Sequence, residues 1–174
     1  FYEQGYEGTT VEDIVFESGT SKGSFYHYFD GKDALLSSLS ILFDEKYEEL
    51  TGLLTSEMTA MEQLLFLNRE LFHMIEDSIS LDLLARLYST QLTTNGEKHL
   101  LDHNRIYYKL LRKIIAKGQA EGQLSSRSNV NEMVKLYALC ERALLYDWCL
   151  CAGEYALTEY SAKVLPGFLS SFLP

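Results

Sequence analysis

The sequence predicts an all-α fold in two parts, a small N-terminal three-helix domain and a larger helical domain. Three observations carry this. Pro166 and Pro174 are the only prolines in 174 residues, so long stretches hold no helix breaker. Leu, Glu, Lys and Ala, the residues that helices prefer, are abundant. Apolar residues recur at i, i+3 and i+4 between polar caps and glycines.

The elements follow in order. Residues 1–5 read as the end of a helix stopped at Gly5 or Gly8. The chain starts as if mid-helix and without Met, so some N-terminal sequence is expected to be missing. Thr9-Thr10-Val11-Glu12 fits a T-x-x-E capping box. Val11, Ile14 and Val15 then form an apolar face, and Gly19 supplies a left-handed stop. Thr20 or Ser21 caps the next short helix, which Asp30-Gly31 ends. A long helix over 32–54 carries Leu35, Leu36, Leu39, Leu42, Phe43, Tyr47, Leu50 and Leu54 in helical rhythm. Further helices are expected over 59–77, 80–93, 97–121, 129–153 and 158–172, with Ser80 and Asn129 as caps. Gly118 and Gly122 mark the end of the 97–121 helix, and Pro166-Gly167 should kink or split the last. The domain boundary is placed inside the long helix, giving domains 1–45 and 46–174.

Composition limits the function. The formal charge is −10, the wrong sign for a protein wrapped in nucleic acid, because phosphate contacts need Lys and Arg. Residues 1–34 hold Lys22 and Lys32 against Glu3, Glu7, Glu12, Asp13, Glu17, Asp30 and Asp33. Both lysines fall in or just after the short helix that follows Gly19, so a local patch remains possible against the overall charge. Cys140, Cys149 and Cys151 share one apolar segment, which reads as reduced thiols and a cytoplasmic location. No uninterrupted apolar run of about 18 residues occurs, so no membrane span is expected.

The run Thr20-Ser-Lys-Gly-Ser-Phe-Tyr-His-Tyr-Phe-Asp-Gly-Lys32 carries the clearest chemistry. At about 100° per residue, Phe25, Tyr28 and Phe29 share one side and are expected to pack on Val11, Ile14 and Val15, so that replacing them unfolds the domain. Lys22, Gly23, Tyr26 and His27 face the other way. That face suits a duplex. Lys22 pairs with phosphate or a guanine edge. Gly23 allows close backbone approach. Tyr26, His27, Ser21, Ser24 and the helix amides offer donors to phosphate oxygens. The residues alone are equally compatible with a small exposed helix that merely tolerates solvent.

The segment from Gly5 to Leu36 resembles the N-terminal domain of TetR-type transcriptional regulators. The resemblance rests on Thr9, Thr10, Ile14, Ser18, Gly19, Ser21, Gly23, Phe25, Tyr26, Tyr28, Phe29, Lys32 and Leu35. It implies a helix-turn-helix domain followed by a helical ligand-binding and dimerisation domain. By matching positions, DNA contacts would fall on Thr10, Thr20, Ser21, Lys22, Gly23, Ser24, Tyr26, His27 and Lys32. The family often carries a basic arm and a complete first helix before this point, which this sequence lacks. Beyond residue 45 the resemblance is one of layout; the string 114–124 is similar to the end of the family's seventh helix.

The implied activity is a dimeric, ligand-responsive regulator, most often a repressor, binding a palindromic double-stranded operator and released by a small apolar or aromatic effector. The dimer would form through the 129–153 and 158–172 helices. The first of these is apolar almost all round and needs cover on more than one side. Effector-lining candidates are Phe72, Met74, Tyr88, Gln91, Tyr107, Tyr108, Leu111, Cys140 and Arg142. An aromatic at helical spacing is more often core, and Arg142, like Glu141, is a charge in an apolar helix that is either paired or functional. The alternative is a helical small-molecule-binding or scaffold protein whose helix-turn-helix no longer reads DNA. No enzyme motif, catalytic residue, cofactor or metal site is expected. His99 and His103 have the i, i+4 spacing of a metal pair but no evident third ligand.

Overall fold

A computed structural model describes residues 4–36, 38–93 and 98–174. Among these residues every regular element is helical. The α-helices are α1 (Gly5–Gly8), α2 (Val11–Ser18), α3 (Lys22–Tyr28), α4 (Lys32–Leu36), α5 (Ser38–Thr51), α6 (Ala60–Ser78), α7 (Leu81–Thr93), α8 (Ile106–Ala120), α9 (Val130–Leu150) and α10 (Leu157–Leu169). Short 3-10 turns occupy His99–Leu101 and Ser170–Phe172.

Local chemistry fixes most helix ends. Gly19 adopts φ 64°, and its amide and that of Thr20 close the end of α2 on Phe16 and Val15 carbonyls. Ser21 caps α3 by accepting from the Ser24 amide at 3.0 Å. Asn129 caps α9 through the Glu132 amide at 3.0 Å. Ser80 accepts weakly from the Leu83 amide at 3.4 Å.

Several boundaries differ from the sequence expectation. The capping box of α2 is Thr10 with Asp13, one residue later than Thr9 with Glu12; the Thr9 hydroxyl turns back to the Gly5 carbonyl instead. The 97–121 helix begins at Ile106, because Asp102 and Arg105 are extended; residue 97 lies outside the described residues. His99 and His103 therefore do not share a helix. The 129–153 helix stops at Leu150, where Ala152 and Gly153 turn to positive φ. Pro166 neither splits nor ends α10. The carbonyl that loses its helical donor to the proline belongs to Ala162, an exposed residue. The expected 32–54 helix is described as α4 and α5, with residue 37 outside the described residues.

The chain divides into two compact units, residues 1–42 with 79–102, and residues 43–78 with 103–174. In the first, α7 packs on α1 and α4, and α2 on α3. Leu36, Leu83, Leu84 and Leu87 are buried there. Tyr6 is the polar tie. It is 3 % exposed, its amide donates to Asp82 Oδ2 at 2.8 Å, and its ring lies 4.3 Å from Lys32 Nζ and 5.6 Å from the Arg86 guanidinium. Arg86 also pairs with Glu7.

On α3, Phe25 is buried and contacts the rings of Tyr26 and Phe29. Tyr28, expected beside it in the core, is 74 % exposed. It is the last residue of α3; the backbone becomes extended at Phe29, which turns half-buried while Tyr28 stays outside.

In the second unit, α6 packs on α8 and α10, and α9 on α8 and α10. Leu64, Leu67, Phe72, Ile75, Leu111, Ile115, Tyr137, Leu157, Leu165 and Leu169 form its core. The N-terminus of α10 has no cap of its own: Glu76 of α6 accepts from the Leu157 and Thr158 amides at 2.8 and 3.2 Å. Arg105, at the start of α8, grips Asp44 of α5 with two bonds of 3.0 Å. Gly118, inside α8, lets α8 and α6 touch: a Cβ there would lie 2.6 Å from Ala60 Cβ.

Gly118→Ala is therefore expected to destabilise the protein by about 1–3 kcal/mol despite alanine's better helix propensity, read as a lower denaturant midpoint. A stabilised variant would show that the contact is slack. Phe25→Ala should cost about 3–5 kcal/mol, whereas Tyr28→Ala should stay within about 0.5 kcal/mol of the parent in the same unfolding titration.

Candidate nucleic-acid interface and effector region

Gly19 reverses the chain so that α3 follows α2 after a short polar turn. Burial of Phe25 orients α3 and leaves its opposite face outward. Thr20, Ser21, Lys22, Gly23, Ser24, Tyr26 and His27 all lie exposed on this turn and helix. Of the nine residues expected at DNA, these seven form one continuous surface.

The electrostatics of that surface are less cationic than its sequence. Lys22 forms an ion pair with Glu12 of α2. The bond to Lys22 holds the Glu12 carboxyl below its ordinary value, and the bond to Glu12 raises the Lys22 ammonium. Both side chains are exposed, so water and salt screen the pair.

Thr10 and Lys32 sit elsewhere. Thr10 is exposed at the N-terminus of α2, but its amide and hydroxyl both donate to Asp13 Oδ2, at 2.7 and 2.6 Å. Those bonds hold Asp13 below its ordinary pKa. Lys32 is half-buried and donates to the Tyr6 and Thr9 carbonyls at 2.7 and 3.1 Å. Two of its three N–H groups are thus used inside the domain. Sequence reasoning missed Asp13 and Glu12 as occupants of the donors it nominated. The signal for the first was present, since Thr10-Val-Glu-Asp13 is itself a capping spacing.

The residues expected around an effector divide between the two units. Tyr88 and Gln91 are half-buried on α7; Gln91 accepts from the Leu100 amide at 3.3 Å. Phe72, Tyr107, Tyr108, Leu111 and Cys140 are buried in the second unit, with Met74 half-buried on α6. Tyr107 stacks against Tyr47 at 5.0 Å and Tyr108 at 4.8 Å. Burial pushes the Cys140 thiol up to about 11. Half-buried Arg142 reaches the Tyr108 hydroxyl at 3.3 Å.

The polar centre of this unit is Glu141, 4 % exposed. It accepts from Asn68 Nδ2 at 2.9 Å and from the Tyr107 hydroxyl at 2.6 Å. Ser161 of α10 donates in turn to Asn68 Oδ1. One carboxyl thus joins α6, α8, α9 and, through Asn68, α10. Burial raises the Glu141 pKa, and its hydrogen bonds from Tyr107 and Asn68 oppose that rise.

On α9, Leu139, Tyr146 and Leu150 are 52, 51 and 67 % exposed and, with Ala143, form one stripe at helical spacing. Tyr160 of α10 is also exposed. Among the described residues no helix is long and apolar enough to cross a membrane.

Residues 1–39 match the family described as "Bacterial regulatory proteins, tetR family". Over 31 residues the chain is 55 % identical to an uncharacterized HTH-type transcriptional regulator encoded in the lacX 3' region of Lactococcus lactis subsp. lactis, covering 18 % of this chain and 16 % of that protein. It is 26 % identical to the HTH-type transcriptional repressor KstR2 of Rhodococcus jostii (strain RHA1), over 98 % of this chain and 86 % of that one. The structure superposes on Thermus thermophilus FadR, described as a TetR family transcriptional repressor in complex with lauroyl-CoA. The TM-score is 0.76 at 23 % identity, covering all of this chain and 90 % of that one. The tetR family match thus covers the N-terminal residues 1–39, and the chain as a whole shares the fold of these helix-turn-helix regulators.

Proposed function

We propose that the protein is a dimeric repressor that reads a palindromic DNA operator with two copies of α3 and is released by a small, largely apolar effector. The observation that carries this reading is the exposed polar face of α3, held outward by buried Phe25 immediately after the Gly19 turn. Residues 1–45 act as the reading domain and 46–174 as the effector-binding and dimerisation domain. Tyr26, His27, Ser21, Ser24 and Thr20 supply donors to the backbone and base edges, and Lys22 supplies charge after exchanging Glu12 for phosphate. Thr10 and Lys32 contribute to phosphate binding through whatever their internal bonds leave free.

The exposed stripe on α9, with Tyr160 of α10, supports dimerisation through the 129–153 and 158–172 helices. Two reading helices then address successive major grooves about one turn apart. The proposed effector site lies in the second unit, among Phe72, Met74, Tyr107, Tyr108, Leu111, Cys140 and Arg142. An apolar molecule entering beside Tyr107 and Tyr108 displaces α8. Arg105 couples α8 to Asp44 of α5, and residues 38–42 of α5 belong to the unit that holds α3. The lauroyl-CoA bound by the Thermus neighbour is an apolar chain with a polar head, in keeping with such an effector. The working location is the cytoplasm, with the DNA.

A second reading, a binding protein whose helix-turn-helix no longer reads DNA, is favoured by the Lys22–Glu12 pair and the charge of −10. Fluorescence polarisation with the DNA upstream of the protein's own gene separates the two. The regulator shows specific binding that weakens steeply as salt rises. Lys22→Ala and Tyr26→Phe each lower affinity about tenfold with unchanged helicity, and Glu12→Gln, by freeing Lys22, tightens binding about two- to fivefold. Affinity indifferent to all three substitutions establishes the second reading.

A further inference from the structure

A groove of about 610 Å³ runs between α6 and α10. Its walls are apolar, formed by Met58, Leu65, Phe66, Ala162 and Pro166, and its floor is the pair Asn68 and Ser161, 3 and 1 % exposed. The volume lies within the range of small-molecule sites. Ala162 and Pro166 occupy the flank of α10 opposite Tyr160 and Gly167, at helical spacing, so a dimer formed through the α9 stripe and Tyr160 leaves the groove open.

The floor defines the head group of an occupant. Ser161 gives its proton to Asn68, and Asn68 gives one N–H to Glu141. The second N–H of Asn68 and the lone pairs of the Ser161 oxygen remain as one donor beside one acceptor. An amide or alcohol satisfies both without carrying charge. The rim disfavours an anion. Glu57 and Glu62 stand on it, while its cation, Arg69, is paired with Glu70 and lies over the Phe66 ring at 5.5 Å.

We propose that this groove is a second small-molecule site, distinct from the effector region around Tyr107 and Tyr108, and that it takes a neutral amphiphile. The apolar body lies along Leu65, Phe66 and Pro166, and the hydrogen-bonding head rests on Asn68 and Ser161. Because Asn68 also donates to Glu141, which accepts from Tyr107, occupancy acts on the same carboxyl that positions α8.

The test uses the full chain and N-phenyl-1-naphthylamine, a neutral probe with one N–H that fluoresces when it leaves water. The wild type should give a saturable signal. Ala162→Trp and Pro166→Trp, both at exposed positions and both filling the groove, should each weaken binding at least tenfold, with helicity and melting retained. Glu48→Trp, at an exposed position of α5 away from the groove, should leave it unchanged. Decanamide should displace the probe at concentrations at least tenfold below those needed for decanoate at neutral pH. The site is overturned if neither groove-filling variant weakens binding, or if the wild type gives no saturable signal. Equal displacement by decanoate overturns the neutral-head assignment.

Discussion

Four helices of the second unit are tied to one buried carboxyl. Removing Glu141 from water carries a desolvation cost of several kcal/mol if it is ionised, and the bonds from Tyr107 and Asn68 offset part of it. An apolar residue of similar volume would fill the space at least as well. What the carboxyl adds is direction. It fixes the face of α6 that carries Asn68, the rotation of α8 that brings Tyr107 inward, and, through Ser161, the register of α10. Tyr137 adds a parallel bond to the Leu64 carbonyl at 2.9 Å. The aromatic cluster around Tyr107 and the polar floor of the α6–α10 groove are both consequences of where this carboxyl sits.

The first unit works under a different constraint, a shortage of positive charge. Its cations serve the fold before they serve any ligand. Lys32 and Arg86 lie against the Tyr6 ring, and Lys22 is held by Glu12. A single copy of α3 therefore offers many neutral donors and little net charge. Neutral donors position and discriminate, but long-range attraction to phosphate comes from cations. In the proposed dimer, weak reading by one copy would be compensated by a second copy held at a fixed spacing, because the second contact becomes intramolecular. On that proposal the exposed stripe of α9 belongs to the reading mechanism together with α3.

Features decided within a few residues were legible in the sequence. The Gly19 stop, the Ser21 and Asn129 caps and the outward face of α3 follow from local patterns. The capping box was misplaced by one residue because two adjacent threonines compete for it, and only the tertiary route of the Thr9 hydroxyl to Gly5 decides between them. Tyr28 was assigned to the core by helical periodicity, which fails at the last residue of a seven-residue helix. Contacts distant in sequence left no local trace. Glu141 stood out as a charge in an apolar helix, but its partner Asn68 lies 73 residues away, and Glu76 caps a helix 81 residues further on. The groove was not foreseen for the same reason: α6 and α10 supply its walls from opposite ends of the second unit's sequence.

Making the protein monomeric separates reading by two copies from reading by one. Leu139→Asp with Tyr146→Asp places two charges on the exposed stripe of α9 without touching the core. Sedimentation and DNA polarisation should be measured on the same sample. If two copies read together, the variant is a monomer that keeps its helicity and melting temperature but loses specific DNA binding by at least a hundredfold. A monomeric variant that binds the same DNA with unchanged affinity would contradict paired reading.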